Sequence, residues 1–332
     1  MAKPLSIALV GLGKHASRTV VPAIERCAAL TLAAIIVRDR AAQAGRHPGL
    51  ASLLTDDFDA ILANRDIDAV YIATPLSTHA TFVEAALAAG KHVLCEKPVT
   101  ASYAETRRLS NLAEKAERAL FEIDYYQRHA QFCELKAQID HRRAAGEQLV
   151  SAETVFTIPE LAADDIRYRA DLDGGALFDV GYYPLSGALA LFGKPDSVTA
   201  TGRWDDEHGV DLGGSALLGY DGFAVQAQWA IGASYRNEIA VGLTRSRLLA
   251  TRGFAKPADL VTTIAVTNAF GAAEPPIEVA PDDAFAAMLT EQGRIIGKGD
   301  ASDLAAVRDA MCARAALIEA VREQIFPAAP SR

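Results

Sequence analysis

Apolar runs of strand length alternate with helix-length segments through the first 123 residues, and this alternation limits the possible folds more than anything else in the chain. The strand candidates are residues 6–10, 32–37, 69–73, 92–95 and 119–123. Helical patterns separate them at residues 18–29, 56–63, 78–89 and 103–116. Strands that alternate with helices pair in parallel through crossovers. These runs are apolar throughout, as strands covered on both faces should be. The rhythm changes after Asp124. A helix is predicted over 130–143, an alternating strand over 149–158 and a helix over 174–192. From 197 to about 279 come short β runs joined by Gly-containing turns, which predict an antiparallel sheet. Two helices, 282–296 and 302–326, close the chain. The expected division is an α/β domain over 1–123 and an α+β domain with a mainly antiparallel sheet over 124–332.

Composition excludes several classes. Hydrophobic residues make up 50% and charged residues 23% of 332, a globular profile. Lys plus Arg is 33 against 42 for Asp plus Glu, giving −9. That balance argues against a long nucleic acid, which needs basic surface along its phosphates. It leaves room for a small phosphate-bearing cofactor, which needs one local site. No apolar run approaches the roughly 20 residues that span a bilayer. Cys27, Cys95, Cys133 and Cys312 show no paired spacing, so reduced thiols and a cytoplasmic setting are expected. The seven His are scattered, and no metal site is expected.

Gly11-Leu12-Gly13-Lys14-His15-Ala16 lies between the first strand and the first helix and fits G-x-G-x-x-A. The first Gly permits the tight turn, the second lets backbone approach a pyrophosphate, and the small third position lets helix and strand pack. NAD-binding chains place an acid at the end of the second strand to hold the ribose hydroxyls. Here Val37 occupies that place and Arg38 follows, then Asp39. An Arg can pair with a 2′-phosphate, so NADP(H) is favoured. The alternative is NAD(H), with Asp39 as the acid at a small offset.

Ala73-Thr74-Pro75 follows the strand at 69–73, with His79 opening the next helix, and Glu96-Lys97-Pro98 follows the strand at 92–95. Both segments lie at C-terminal strand ends, the edge where open α/β sheets place ligands. In the second domain, Asp179 and Tyr183 are four apart and share a helix face. A carboxylate and a phenol together with a Lys form a set suited to proton transfer.

In this order the motifs resemble the Gfo/Idh/MocA (glucose–fructose oxidoreductase-like) family across nearly the whole chain. The resemblance implies a Rossmann domain, an open-sheet domain that often forms the interface of a homodimer or homotetramer, and oxidation or reduction of sugars with NAD(P). It implies that Lys97, Asp179 and Tyr183 are catalytic. Tyr183 would exchange the proton, Lys97 would stabilise charge, and Asp179 would orient Lys97 and substrate hydroxyls. Gly11, Gly13, Lys14, His15, Ala16, Arg38, Ala73, Thr74, Pro75, His79, Glu96 and Lys97 would bind the cofactor. Tyr126, Arg128 and Arg167 are candidate substrate contacts. Many members carry His where this chain has Tyr183. The Tyr form, with Asp165-Ile166-Arg167-Tyr168 and Tyr235-Arg236-Asn237-Glu238, resembles nucleotide-sugar 3-ketoreductases and pentose dehydrogenases. A sugar or a nucleotide-linked 3-ketosugar is therefore the expected substrate. A pentose, aldose or trans-dihydrodiol dehydrogenase is the alternative, and a non-catalytic NADP(H)-binding regulator is the rival of another class. Asp173 departs from the family by standing where a third Gly is common.

Overall fold

The computed structural model describes residues 3–326. It divides into two compact units, Met1–Ile123 with Phe285–Ala315, and Asp124–Ala284 with Ala316–Arg332.

The first unit holds six parallel strands: β1 (Leu5–Val10), β2 (Leu30–Ile36), β3 (Leu54–Thr55), β4 (Ala69–Ile72), β5 (His92–Cys95) and β6 (Leu120–Glu122). Their order is β3-β2-β1-β4-β5-β6. All neighbours run parallel. The sheet therefore reverses its strand order between β1 and β4, and a doubly wound sheet places its ligand crevice at such a point. Every residue of β4 is buried, in keeping with its continuous apolar run. The helices are α1 (Val21–Arg26), preceded by a wider π turn over Ala16–Val20, then α2 (Arg40–Arg46), α3 (Phe58–Ala63), α4 (His79–Ala88) and α5 (Tyr103–Lys115).

The second unit holds α6 (Ala130–Ala144), β7 (Leu149–Ile158) and α7 (Tyr182–Phe192), the last preceded by a π turn over Leu177–Gly181. Its remaining strands are β8 (Ser197–Asp205), β9 (Val210–Tyr220), β10 (Phe223–Ile231), β11 (Arg236–Leu243), β12 (Ser246–Thr251), β13 (Thr262–Asn268) and β14 (Ala273–Val279). The order is β14-β13-β12-β11-β7-β10-β9-β8. Among the described residues of this sheet, only β7 and β10 pair in parallel, as strands joined by a long connection can. One sheet face packs against α7 in an apolar core that includes Phe156, Leu185, Val225, Trp229 and Ile239. Side chains of the other face are open: Val150, Glu153, Leu217 and Gln226 are exposed. The edge strand β14 carries Pro275 and Pro276.

The final helices, α8 (Ala284–Lys298) and α9 (Ala301–Ile325), correct one expectation. The sequence assigned everything after 123 to the second domain, but Phe285–Ala315 belongs with the first unit. Side chains explain the return. Gly293 of α8 lies so near Ala29 that an added Cβ would stand 2.9 Å from the Ala29 Cβ. Cys27 Sγ is 3.4 Å from Thr290 Oγ1, and Met311 joins the apolar core of the parallel sheet. Periodicity identifies an amphipathic helix but not the sheet that will cover it.

Candidate active site

In the first unit the loops after β1, β4 and β5 converge through hydrogen bonds between strand ends. Gly11 N–H donates to Ile36 O, Ala73 N–H to Val10 O and Glu96 N–H to Ile72 O, at 2.9, 2.8 and 3.0 Å. Gly11 has φ +94°, and a Cβ there would stand 2.7 Å from Ala73 O, so only Gly lets these two loops meet. Gly13 is the opposite case: nothing lies within 4 Å of where its Cβ would be. Its backbone is bare toward solvent, as close approach of a pyrophosphate requires. Ala16 is buried, filling the small third position, and Lys14 and His15 are exposed. The loop fits a dinucleotide.

At the end of β2, Asp39 is the N-cap of α2, its Oδ1 accepting the Ala42 N–H at 2.9 Å. That oxygen is committed to the helix start. Val37 is buried, and Arg38 is exposed beside the cap.

The Glu96-Lys97-Pro98 segment is anchored by side chains. Glu96 Oε1 accepts from Tyr71 OH at 2.7 Å and lies 3.1 Å from His15 Nε2. Burial raises the Glu96 pKa, but the His15 contact, the Tyr71 hydroxyl and the Lys97 charge outweigh it and hold the carboxyl below its ordinary value. The Lys97–Pro98 bond is cis. His79 is buried, with Nδ1 3.0 Å from Pro98 O and Nε2 2.9 Å from Thr74 O. Burial lowers its pKa against the pull of these carbonyls. A neutral imidazole carries one N–H, so one carbonyl at a time receives it. The sequence assigned His79 to the cofactor. Both of its ring nitrogens instead face backbone, where it ties the Thr74 loop to the Pro98 loop.

In the second unit, Gly174 and Gly175 precede the helix that the sequence began at 174. Gly175 has φ +106°, and a Cβ on it would stand 2.3 Å from Asp211 Oδ1. Asp173 adopts the left-handed conformation at φ 53°, ψ 44°. Asp tolerates that region better than most residues, so it can hold this turn without a Gly. Asp211 is buried, and its Oδ2 accepts the Leu177 N–H at 2.8 Å. Burial pushes its pKa up to about 7, against the hydrogen bonds it accepts.

Asp179 lies on the π turn and Tyr183 on the first turn of α7. Arg167 donates to both Asp179 and Asp165. Burial disfavours the Arg167 charge, but the two carboxylates outweigh it and raise its pKa. Tyr183 is half-buried among Phe156, Tyr126 and Phe254, with ring centroids 5.1, 5.6 and 5.9 Å away. Two of the expected substrate contacts change character. Tyr126 is fully buried, with its hydroxyl 2.7 Å from Ser186 Oγ, so it supports Tyr183 from behind rather than meeting a ligand. Arg167 gives its Nε and Nη1 donors to carboxylates of its own unit. Arg128 is exposed.

Comparison with known proteins accounts for both halves. Residues 5–124 match the GFO/IDH/MocA model described as an oxidoreductase family with an NAD-binding Rossmann fold, and residues 137–256 match the GFO/IDH/MocA C-terminal domain. The chain belongs to the GFO/IDH/MocA oxidoreductase family. Within that family it is 38% identical to the dTDP-3,4-didehydro-2,6-dideoxy-alpha-D-glucose 3-reductase of Streptomyces violaceoruber, over 97% of this chain and 95% of that one. It is also 38% identical to D-xylose 1-dehydrogenase (NADP(+)) 2 of Haloferax volcanii, over 55% of this chain and 58% of that one. The crystal structure of a 3-ketoreductase from Actinomadura kijaniata, in complex with NADP and TDP-benzene, superposes with TM-score 0.90 at 28% identity. That superposition covers 97% of this chain and 98% of the other.

Proposed function

We propose that this family member is an NADP(H)-dependent reductase of a nucleotide-linked 3-ketosugar. The observation that carries this reading is similarity to a dTDP-sugar 3-reductase along 97% of the chain, spanning both units. The exposed Arg38, beside an Asp39 that caps α2, supports NADP(H) over NAD(H). Backbone at Gly11 and Gly13 would hold the pyrophosphate and Arg38 the 2′-phosphate. Ala73, Thr74, Pro75 and Glu96 would line the cofactor, with Lys14, His15 and Ala16 at the helix start.

Hydride exchange is the chemistry the bound nicotinamide supplies. In the reducing direction the carbonyl carbon gains the hydride, and its oxygen takes a proton from the Tyr183 hydroxyl. The Lys97 ammonium stabilises the negative charge that develops on that oxygen. Asp179, held by Arg167, orients substrate hydroxyls. In the oxidising direction each transfer reverses. Assembly through the open face of the β7–β14 sheet, with exposed Val150 and Leu217, completes the proposal as a homodimer or homotetramer. Four free thiols suit a cytoplasmic setting.

The similarity to a xylose dehydrogenase supports a second reading, oxidation of a free pentose. The test is spectrophotometric. NADPH oxidation is followed with a nucleoside-diphosphate 3-ketosugar, and NADP+ reduction with free aldopentoses and aldohexoses. Turnover on the ketosugar supports the first reading. Turnover on free pentoses alone replaces it with the second.

A further inference from the structure

Glu122 is a charge in the wrong place for an ordinary parallel strand. It closes β6 after the apolar Leu120 and Phe121, and its side chain is only 2% exposed. Its Oε2 accepts from Nε of Arg314 on α9, a partner 11% exposed. Its Oε1 accepts the Val99 N–H at 3.1 Å. A buried ion pair is weak evidence for stability, since apolar residues of similar volume often do as well or better. What this pair reaches is more telling. Val99 is two residues from Lys97, and the backbone around that lysine is fixed elsewhere by His79 at Pro98 O and by Tyr71 at the Glu96 side chain.

We infer that Glu122 is a positioning residue for Lys97, with Arg314 serving to balance its buried charge. Arg314 neutralises the buried Glu122 carboxylate, Glu122 Oε1 fixes the Val99 N–H, and the backbone at 99 sets where the Lys97 ammonium is presented. Neither side chain touches a reacting atom. The inference rests on the role given to Lys97 above.

Two double variants separate positioning from folding. Glu122→Gln with Arg314→Met removes both charges but keeps an oxygen for the Val99 N–H. Glu122→Leu with Arg314→Met removes the oxygen as well. Three quantities are measured in each: kcat, the NADPH dissociation constant by fluorescence, and the acylation rate of Lys97 by peptide mass spectrometry. The Gln/Met protein is expected to keep kcat within about threefold, since the Val99 contact survives. The Leu/Met protein should lose about thirtyfold in kcat, inside the ~10²-fold that a misplacement of about 1 Å costs. Its NADPH affinity should stay within about twofold, and its Lys97 acylation rate should change severalfold. Equal kcat and equal acylation in the two proteins would overturn the inference. So would loss of NADPH binding in step with kcat, which assigns the pair to the fold. If the parent enzyme turns over no sugar, the functional reading fails, and the Lys97 acylation rates still decide the positioning role.

Discussion

Arg167 donates through Nε to Oδ2 of Asp179, and through Nη1 to Oδ1 of Asp165 at 3.1 Å. One guanidinium thus holds the carboxylate proposed to orient substrate hydroxyls. Replacing Arg167 by Met should lower kcat/KM by about tenfold to a hundredfold, the equivalent of the ~1.5–3 kcal/mol of a charged hydrogen bond. Arg167→Lys should recover only part, because Lys lacks the planar fork that reaches two carboxylates. Steady-state kinetics checks this. An unchanged kcat/KM would release Asp179 from its proposed role.

Lys97→Met should reduce kcat by about 10³-fold or more, while NADPH still binds within a few-fold of the parent. Tyr183→Phe should cost about 10²–10⁴-fold, the usual scale for a proton donor. Single-turnover rates with bound NADPH separate this from slow product release. Normal turnover in Lys97→Met would refute the mechanism.

Arg38→Ala should weaken NADPH binding by about tenfold to a hundredfold and leave NADH binding nearly unchanged. Titration of both cofactors into both proteins gives the answer. A parent preference for NADH would refute the assignment, and so would an equal loss for the two cofactors.

Asp211 makes stability pH-dependent in a known direction. Burial pushes its carboxyl up to about 7 in the folded chain, whereas an unfolded Asp titrates near 3.9. Between those values the folded chain keeps a proton that the unfolded chain has released. This contribution is therefore fully present below about pH 4 and is lost as the pH rises through about 7. Asp211→Asn keeps an oxygen for the Leu177 N–H but cannot ionise. The parent should lose more Tm between about pH 5 and about pH 8 than the variant does. Parallel Tm curves would show that Asp211 carries no such linkage.

Motifs were legible wherever one short segment carried the whole reason. Gly11, Gly13 and Ala16 do their work within six residues, and the crossover rhythm predicted a parallel sheet, whose switch point only the strand order shows. The two-residue β3 and the short α2 gave too little periodicity to read. Tyr126 looked like a ligand contact because a phenol at a strand end reads the same exposed or buried. Only Ser186, sixty residues away in the chain, shows which it is. The Glu122–Arg314 pair spans 192 positions and has no local trace beyond one signal. That signal was an acid ending an apolar strand, which needs a cation or donors from elsewhere.

The paired prolines of β14 settle how the larger sheet ends. Pro275 and Pro276 have no N–H, and successive donors of a strand face opposite sides, so one donor is missing from the outer edge of this outermost strand. Glu274 and Glu278 flank them with charge on the same strand. An incoming strand would find an interrupted ladder and like-charged company if it were acidic. Growth of the sheet from one chain into the next is thereby discouraged at this margin, and a lasting contact between copies along β14 is left to side chains rather than backbone.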